Sequence, residues 1–509
     1  MAQRLKRPSL DYPEKPVSWL LQRAAERFPK KTAVIDPHGR RDLTFQELDR
    51  ESDALALNFT RWGIGKGDRI SFFLSNGWEY FVGFYAAMKA GAVVSPMNPT
   101  LRDRELRNQV NDSDSRVLLT QQELLPIVEK ALPEMPTLEC IVVAHASGEG
   151  NPRYFPLGGL LKRPAGSKAR SFPLIDPKLD LAALPYSSGT AGLSKGVMIT
   201  HYNLVANTLQ SMNAVEARAD DVFISFLPFN HIYGFTYFLC GSIYLGARQV
   251  VMARFQAEEC LRLIQEHRVT VIFGVQPALL AFLNVPDMEK YDLSSLRYIW
   301  IGAAPLAPAV AREIRERFGV PIARHYGLSE ASPTTHCNPP GCPKDGSVGI
   351  AVSDVEDKIT DWETGLSEMK PGEPGELALR GPNVFQGYWK HPEDTKLALR
   401  NGWLYTGDIA WMDEDGYVFI LDRKKEMIKY RGYQIAPAEL EAVIMEHPAV
   451  QDCAVVGIPE EKLGEIPKAF IVRKDGEKVG AEEIMSFVAE RVAPYKKIRD
   501  VAFIREIPK

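Results

Sequence analysis

Two rhythms of apolar and polar positions alternate along this chain. Residues 17–28 place their apolar side chains at helical spacing, and residues 32–35 follow as a short β-rich run. The first pattern marks a helix with one buried stripe, and the second a buried strand. Thr44 stands three residues before Glu47, which spells a capping box and predicts a helix start. Further on, the pattern predicts a strand at 70–74, a helix at 80–89 closed by Gly91, and strands at 92–95, 117–120 and 140–143. The middle of the chain repeats the rhythm: strand 249–252, helix 257–267, strand 270–273, a helix opening at Pro277, and strand 298–301. Pro308 then opens a helix that carries Val310, Ile314 and Phe318 at four-residue spacing and closes at Gly319. Proline at the first helical position and glycine past the last is the expected asymmetry. Alternation of this kind predicts parallel sheets covered by helices, with ligands at the loops leaving the carboxyl ends of the strands.

From about Asp357 the glycines and short β-runs crowd together, which predicts a small antiparallel β region. After Asp422 come a helix at 437–445, strands at 453–458 and 469–472, a helix at 481–491 and a strand at 501–504. The expected fold class is therefore α/β. Residues 1–421 would form a large N-terminal domain of helix-covered sheets plus the small β region. Residues 422–509 would form a small, mobile C-terminal α/β domain. The stretch from Val222 to Ala247 has 26 residues and no Asp, Glu, Lys or Arg. Pro228, Asn230, His231, Gly234 and Gly241 interrupt it, so it reads as buried core and not as a membrane span.

Composition narrows the class. At 509 residues the chain exceeds what one core supports, and 45% hydrophobic with 25% charged residues excludes a disordered chain, a coiled coil or a collagen-like fibre. The formal charge of -4 gives no reason to expect a nucleic acid partner. Six scattered cysteines are too few for a disulfide framework, and Cys337 with Cys342 match no zinc spacing. The basic N-terminus lacks an apolar core, so no secretory signal is expected and the cytoplasm is the expected home. Peripheral membrane contact, and monomer against homodimer, stay open.

Three segments carry candidate chemistry. YSSGTAGLSKG, residues 186–196, gathers hydroxyls, three glycines and Lys195. Glycines let backbone N–H groups approach a phosphate chain, and the lysine supplies positive charge. The segment is not a Walker A loop, but Ser194 sits in a G-x-S-x-G pattern that a serine hydrolase would use, with Asp408 and His447 as possible triad partners. The second segment, Tyr326–Glu330, puts a carboxylate after a strand, where Mg2+ shared with substrate phosphates would find a hard oxygen ligand. The third, WLYTGD, ends in Asp408, with Arg423 fifteen residues later; an acidic residue there can accept both hydroxyls of a ribose.

Together these segments resemble the adenylate-forming superfamily of acyl-CoA synthetases, adenylation domains and firefly luciferases. The resemblance runs from about Val17 to the last residue. It is strongest for fatty-acyl-CoA and 4-coumarate–CoA ligases, whose motifs recur here as YSSGTAGLSKGVMITHYN, LPFNHIYG, YGLSEASP, GWLYTGDIAWMDEDGY and DRKKEMIKYRGYQIAPAELE. The resemblance implies that Ser187, Ser188, Gly189, Thr190 and Lys195 cradle the ATP phosphates. Gly302, Ala303 and Ala304 would line the adenine and acyl pockets and Tyr326 would stack near the adenine, with His325 and Gly327 also binding the nucleotide; Ser329 would contact the α-phosphate, and Glu330 with Thr190 the Mg2+. Asp408 and Arg423 would hold the ribose with Ile420 beside them, and Lys429 and Gln434 would reach the nucleotide phosphate. Lys425 matches the hinge of the small domain, and Arg254, Arg431 and Gly432 match CoA contacts. His231, Ile232, Tyr233, Phe235, Val275, Gly302 and Gly327 would form the acyl pocket. Thr190, Lys195, His231, Glu330 and Lys429 are the implied catalytic set.

The implied reaction has two steps. An acid's carboxylate attacks the α-phosphate of Mg-ATP to give acyl-AMP and pyrophosphate, and the CoA thiol then displaces AMP. The small domain would swing between the two. The departures from the family pattern are Ala191 for a threonine, Ser194 for a proline and Ser329 for a threonine. The family's closing Pro-Lys-x-x-x-Gly-Lys is represented only by Pro508-Lys509. A chain ending there is expected to be weak in adenylation and largely intact in thioester formation. The acid is expected to be a medium- or long-chain fatty acid, because Phe235, Tyr237, Val275, Gln276 and Pro277 are mostly apolar. A hydroxycinnamate is the alternative within the class. Outside it stand the hydrolase at Ser194 and a non-catalytic acyl-AMP-binding protein. An amino acid substrate is disfavoured, since no acidic residue adjoins LPFNHIYG to hold an ammonium.

Overall fold

The computed structural model describes residues 4–39, 41–146, 152–164, 172–187, 194–303, 306, 308–424, 426–430, 433–460, 464–474, 476–492 and 494–508, with the backbone alone at 308, 429, 433, 434 and 464. The chain divides into two compact units. The larger comprises Leu5–Glu356 and Leu379–Leu404; the smaller comprises Met1–Arg4, Asp357–Ala378 and Tyr405–Lys509.

Two sheets build the larger unit. The first runs, edge to edge, through Ile350–Ala351, Thr334–Cys337, Ile322–Gly327, Tyr298–Ile301, Val271–Gly274, Val222–Ser225, Arg248–Val251, Thr32–Asp36 and Arg41–Thr44. From Ile322–Gly327 to Thr32–Asp36 the strands are parallel, and antiparallel strands close both edges. In the second sheet, Leu181–Ala183, Val93–Pro96, Arg69–Phe73, Ser115–Gln121, Cys140–Ala144 and Tyr154–Pro156 are parallel. Lys195–Thr200 adds on antiparallel to Leu181–Ala183, and Gly387–Tyr388 continues beyond it.

The helices follow the sequence pattern. Phe45–Arg61 begins at the expected capping box: Glu47 N–H donates to Thr44 Oγ1 at 3.2 Å, and Thr44 N–H donates to the Glu47 carboxylate at 2.9 Å. Trp78–Ala90 is buried on every side and ends at Gly91 with φ +76°. Lys89, inside this helix, satisfies its ammonium on Asp49 and Asp53, each at 2.7 Å. Ala257–His267 and Pro308–Phe318 occupy the expected ranges. The charge-free stretch folds as a core strand, Val222–Ser225, and a helical run over Ile232–Leu245 that widens to a π-turn at Phe235–Ser242. No helix among the described residues is long and apolar enough to cross a membrane. The helices that escaped the pattern include Asp103–Asp112, Leu125–Ala131, Pro392–Ala398 and His201–Ala214. The last is buried but rich in Asn, Thr, Gln and Ser, whose side chains bond neighbouring backbone; Asn203 Nδ2, for instance, donates to Pro382 O and Val384 O.

In the smaller unit, Val418–Arg423 runs antiparallel to 408–412, setting Asp408 opposite Arg423. Beyond it, Val450–Glu460 and Gly464–Arg473 form a long antiparallel pair, with Asp500–Phe503 parallel to the second. Helices Pro437–Met445 and Ala481–Ala489 contribute Leu440, Ile444, Ile484 and Val488 to its core.

Candidate active site

The segment expected to hold phosphates is described at its two ends, which pair with each other. Tyr186–Ser187 pairs antiparallel with the start of Lys195–Thr200, setting Ser187 opposite Lys195 and Tyr186 opposite Gly196. Residues 188–193 lie outside the described residues, so the expected sites Ser188, Gly189 and Thr190 do too. Ser187 and Lys195 remain at the two ends. Ser187 Oγ donates to Glu330 Oε1 at 3.2 Å, and the hydroxyl of Tyr388 donates to the same oxygen at 2.8 Å. Glu330 Oε2 has no hydrogen bond among the described residues. Lys195 is buried, and its ammonium lies 2.7 Å from Asp394 Oδ1. That contact is the main reason the Asp394 carboxyl is held below the ordinary range. Tyr186 is tied down as well, its hydroxyl donating to Asp112 Oδ2 at 2.6 Å.

The first sheet supplies the other wall. Gly302 and Ala303 follow strand Tyr298–Ile301, and Tyr326 and Gly327 end strand Ile322–Gly327 beside it. Ser329 and Glu330 then form one 3-10 turn, fixed where Phe385 N–H donates to Glu330 O at 2.9 Å. Ala303 takes φ +65° and is exposed. Two glycines are dictated by close approach: a Cβ on Gly302 would lie 2.4 Å from His325 Nε2, and one on Gly327 would lie 2.2 Å from Pro333 O. Ala304 lies outside the described residues.

His325 is the centre of a buried polar chain. Its Nε2 lies 2.7 Å from the Tyr233 hydroxyl and its Nδ1 2.9 Å from that of Tyr237. Tyr233 O–H points to Trp300 O at 3.4 Å, and Tyr237 shares a 3.0 Å bond with Thr334 Oγ1. One tautomer satisfies all of this: Nε2–H donates to Tyr233, and Nδ1 accepts from Tyr237. Burial pushes the His325 pKa down to about 3, so the ring is neutral. Of the expected acyl-pocket residues, Ile232, Tyr233 and Phe235 are buried; Phe235 meets Phe84 edge to face with centroids 4.9 Å apart, and Val275 caps helix Gln276–Leu283. His231 is exposed and caps the turn at Ile232–Gly234, its Nδ1 accepting from Tyr233 N–H at 3.3 Å. Protein packed around the ring lowers its pKa, and its solvent contact limits that effect. Arg254 is exposed beside a cavity of about 330 Å3 that Asp36, His38, Glu79 and His145 also line.

The smaller unit carries its own candidates. Asp408 is buried, and Arg423 Nε reaches its Oδ1 at 2.7 Å. Ile420 pairs with Ala410 in the same hairpin. Lys429 and Gln434 stand opposite each other in an antiparallel pair; their side chains lie outside the described residues, as do Lys425, Arg431 and Gly432. Next to the expected hinge, Lys424 Nζ bonds Glu376 Oε2 at 2.8 Å.

Ser194 immediately precedes strand Lys195–Thr200, whereas a nucleophile elbow places its serine on the turn between a strand and a helix. The ring of His447 is engaged locally, accepting from Ala449 N–H and packing on Phe487. The G-x-S-x-G match therefore lacks its structural context. Sequence reading missed Tyr388, Asp394 and Asp112. The stretch GYWKHPEDT had the signals, an aromatic and an acid within six residues of each other, but only the fold shows them facing Glu330 and Lys195. No group of three or more metal-binding side chains occurs among the described residues.

Known proteins share this architecture. The AMP-binding enzyme family matches residues 21–389, and the AMP-binding enzyme C-terminal domain matches residues 439–509. A 4-coumarate–CoA ligase-like protein of Oryza sativa subsp. japonica is 39% identical over 499 residues, covering 95% of this chain and 88% of that protein. A long-chain-fatty-acid–CoA ligase of Bacillus subtilis (strain 168) is 35% identical over 530 residues, covering 98% and 93%. Among solved structures, an anthranilate CoA ligase in complex with anthranoyl-AMP aligns with a TM-score of 0.87 at 28% identity, covering 98% of this chain and 95% of that one. The chain belongs to the AMP-binding enzyme family, in its adenylate-forming acyl-CoA synthetase branch, and is an AMP-forming acid–thiol ligase.

Proposed function

We propose that this ATP-dependent ligase activates a medium- or long-chain fatty acid to its CoA thioester. One oxygen of the acid's carboxylate would attack the α-phosphorus of ATP as the bond to pyrophosphate breaks. The CoA sulfur would then attack the acyl carbonyl, losing its proton, as AMP departs. The observation that carries the nucleotide chemistry is the Ser187–Glu330–Tyr388 contact beside Lys195, which sets a carboxylate and an ammonium on the same loop system. Lys195 would offset negative charge building on the phosphates, with Thr190 and Lys429 assisting. The donors suit Mg2+: Glu330 Oε2 carries no hydrogen bond among the described residues, and the Ser187 hydroxyl offers a second hard oxygen. Mg2+ bound there would neutralise phosphate charge.

We assign adenine to Gly302, Ala303, Ala304, Tyr326 and Gly327, the α-phosphate to Ser329, and the ribose to Asp408 and Arg423. We assign CoA to Arg254, Arg431 and Gly432, and the acyl chain to the apolar side chains from Ile232 to Phe235 with Val275. His231 would serve as pocket wall or gate. The domain boundary at 421/422 is part of this reading, and so is a cytoplasmic location, which six scattered cysteines, too few for a disulfide framework, support. An aromatic acid is the second reading. It is favoured by the similarity to a 4-coumarate–CoA ligase-like protein and to an enzyme holding anthranoyl-AMP.

The test is a panel of acids, from hexanoic to palmitic plus 4-coumaric and anthranilic, given to the chain with ATP, MgCl2 and CoA. Acyl-CoA is followed by mass spectrometry, and a parallel panel of preformed acyl-AMPs isolates the second step. Fastest turnover on an aliphatic acid of ten carbons or more is the expected result. Preference for an aromatic acid would replace the first reading by the second, and no thioester from any acyl-AMP would overturn both.

A further inference from the structure

One short segment handles both charged groups of the phosphate loop system. Gly387–Tyr388 is zipped to strand Lys195–Thr200, with Gln386 N–H donating to Met198 O at 3.0 Å and Trp389 N–H to Gly196 O at 2.8 Å. Tyr388 N–H donates to Thr395 Oγ1 at 2.8 Å, which folds the following turn back. This geometry aims the Tyr388 hydroxyl at Glu330 and the Asp394 carboxylate at Lys195. The Lys195 side chain is only 7% exposed, against 33% for Asp394, and its ammonium also lies 5.6 Å from the centroid of the Tyr388 ring. The other Asp394 oxygen faces His391 Nδ1 at 3.3 Å.

A buried ammonium needs a counter-charge. Asp394 provides it here, and in doing so takes one of the three donors of Lys195 and cancels its charge. The phosphate chain of a nucleotide needs that same ammonium. A carboxylate and a phosphate cannot both hold it at full strength, and the carboxylate is the one with access to water once released. We propose that Asp394 is an exchangeable counter-ion for Lys195, holding the ammonium while the loop is empty and ceding it to the phosphates of ATP or pyrophosphate. The proposal rests on the nucleotide reading given above. Its consequence is that Asp394 weakens phosphate binding and so speeds the departure of pyrophosphate. A residue that instead aimed Lys195 at the phosphates would strengthen binding.

The test is calorimetric titration of the full chain with inorganic pyrophosphate and MgCl2, and separately with ATP. The proteins compared are wild type, Asp394→Asn, Asp394→Ser, Asp394→Glu, Lys195→Gln and the double variant Lys195→Gln/Asp394→Asn. Losing the carboxylate is expected to tighten pyrophosphate binding about fivefold, the scale of a partly exposed ion pair. Asp394→Ser should follow Asp394→Asn, and Asp394→Glu should stay near wild type. In the Lys195→Gln background the Asp394→Asn change should have no effect. Weaker or unchanged binding in both Asp394→Asn and Asp394→Ser, or equal tightening without Lys195, overturns the counter-ion role while leaving the nucleotide reading in place. Wild type that binds neither pyrophosphate nor ATP overturns both. In steady state Asp394→Asn and Asp394→Ser should lower KM for ATP without a matching gain in kcat, a split that a merely structural role would not produce.

Discussion

At the scale of single residues, the orientation of Glu330 depends on donors that, among the described residues, leave its second oxygen without a hydrogen bond. Ser187 and Tyr388 both bond Oε1, which suits the other oxygen to a cation. Removing the Tyr388 hydroxyl deletes a hydrogen bond to a charged acceptor, worth about 1.5–3 kcal/mol. Tyr388→Phe is therefore expected to slow adenylation by at least about tenfold and to raise the MgCl2 needed for half-maximal rate. Thioester formation from preformed acyl-AMP should change little; equal loss in both half-reactions would place the effect in folding and not at Glu330. His325 gives a second prediction, in pH. Its folded pKa of about 3 lies below the ordinary value of about 6.5, so between those limits the unfolded chain binds a proton that the folded chain refuses. Its contribution to stability is thus complete above about pH 6.5 and is lost as pH falls towards 3. His201, pulled down to about 4 by burial, acts in the same direction. Between pH 7.5 and 5.0, His325 accounts for about 2 kcal/mol of lost stability. Urea melts of His325→Gln at those two pH values should show a smaller difference than wild type. Equal differences would mean that His325 is not held neutral.

At the scale of elements, the helix Phe45–Arg61 tests how far local chemistry supports the fold. Thr44→Ala removes the oxygen that accepts from Glu47 N–H, and loss of such a cap costs about 1 kcal/mol. A modest fall in urea midpoint with unchanged activity is expected, and no fall would show that tertiary packing alone holds the helix end. The segment around Gly387 is less forgiving. Its φ is +141°, and a Cβ there would stand 2.6 Å from Thr395 Cγ2. Gly387→Ala should therefore displace Tyr388 and lower adenylation more than stability. These two elements also mark what a sequence can and cannot disclose. The capping box, the glycine-closed helices and the parallel strands were legible because each is written in residues close in sequence. The helix His201–Ala214 was not, because its buried face is polar and meets backbone far along the chain, as when Asn207 Nδ2 donates to Thr334 O. The same limit applies to the site. Lys195 and Glu330 could be picked out by their motifs, whereas Tyr388 and Asp394 act across separations of 58 and 199 residues (388 − 330 and 394 − 195) that only the sheet brings together.

At the scale of the whole molecule, the cysteines report on how the chain is closed to solvent. Among the six, Cys140, Cys240, Cys260 and Cys337 are buried, Cys453 is half-buried and Cys342 is exposed. Only a thiolate reacts quickly with a disulfide reagent, so burial acts twice, by blocking access and by disfavouring the charged form. Burial raises the Cys337 thiol to about 12, and Cys453 likewise to about 12, where the nearby Glu441 and Asp452 carboxylates add to the effect. Cys240 and Cys260 are pushed up as well. The native protein at pH 8 should therefore release one equivalent of colour rapidly with Ellman's reagent, from Cys342, and all six in denaturant. Cys342→Ser should abolish the fast phase while leaving activity and melting temperature unchanged, because that side chain is exposed. The five slow thiols then become a clock for opening. Cys453 belongs to the smaller unit, and Cys140, Cys240, Cys260 and Cys337 to the larger. In Cys342→Ser, a slow phase of one equivalent ahead of the other four would show that the smaller unit opens on its own, as an independently folded body would. Five equivalents released at a single rate would instead mean that the two units unfold as one.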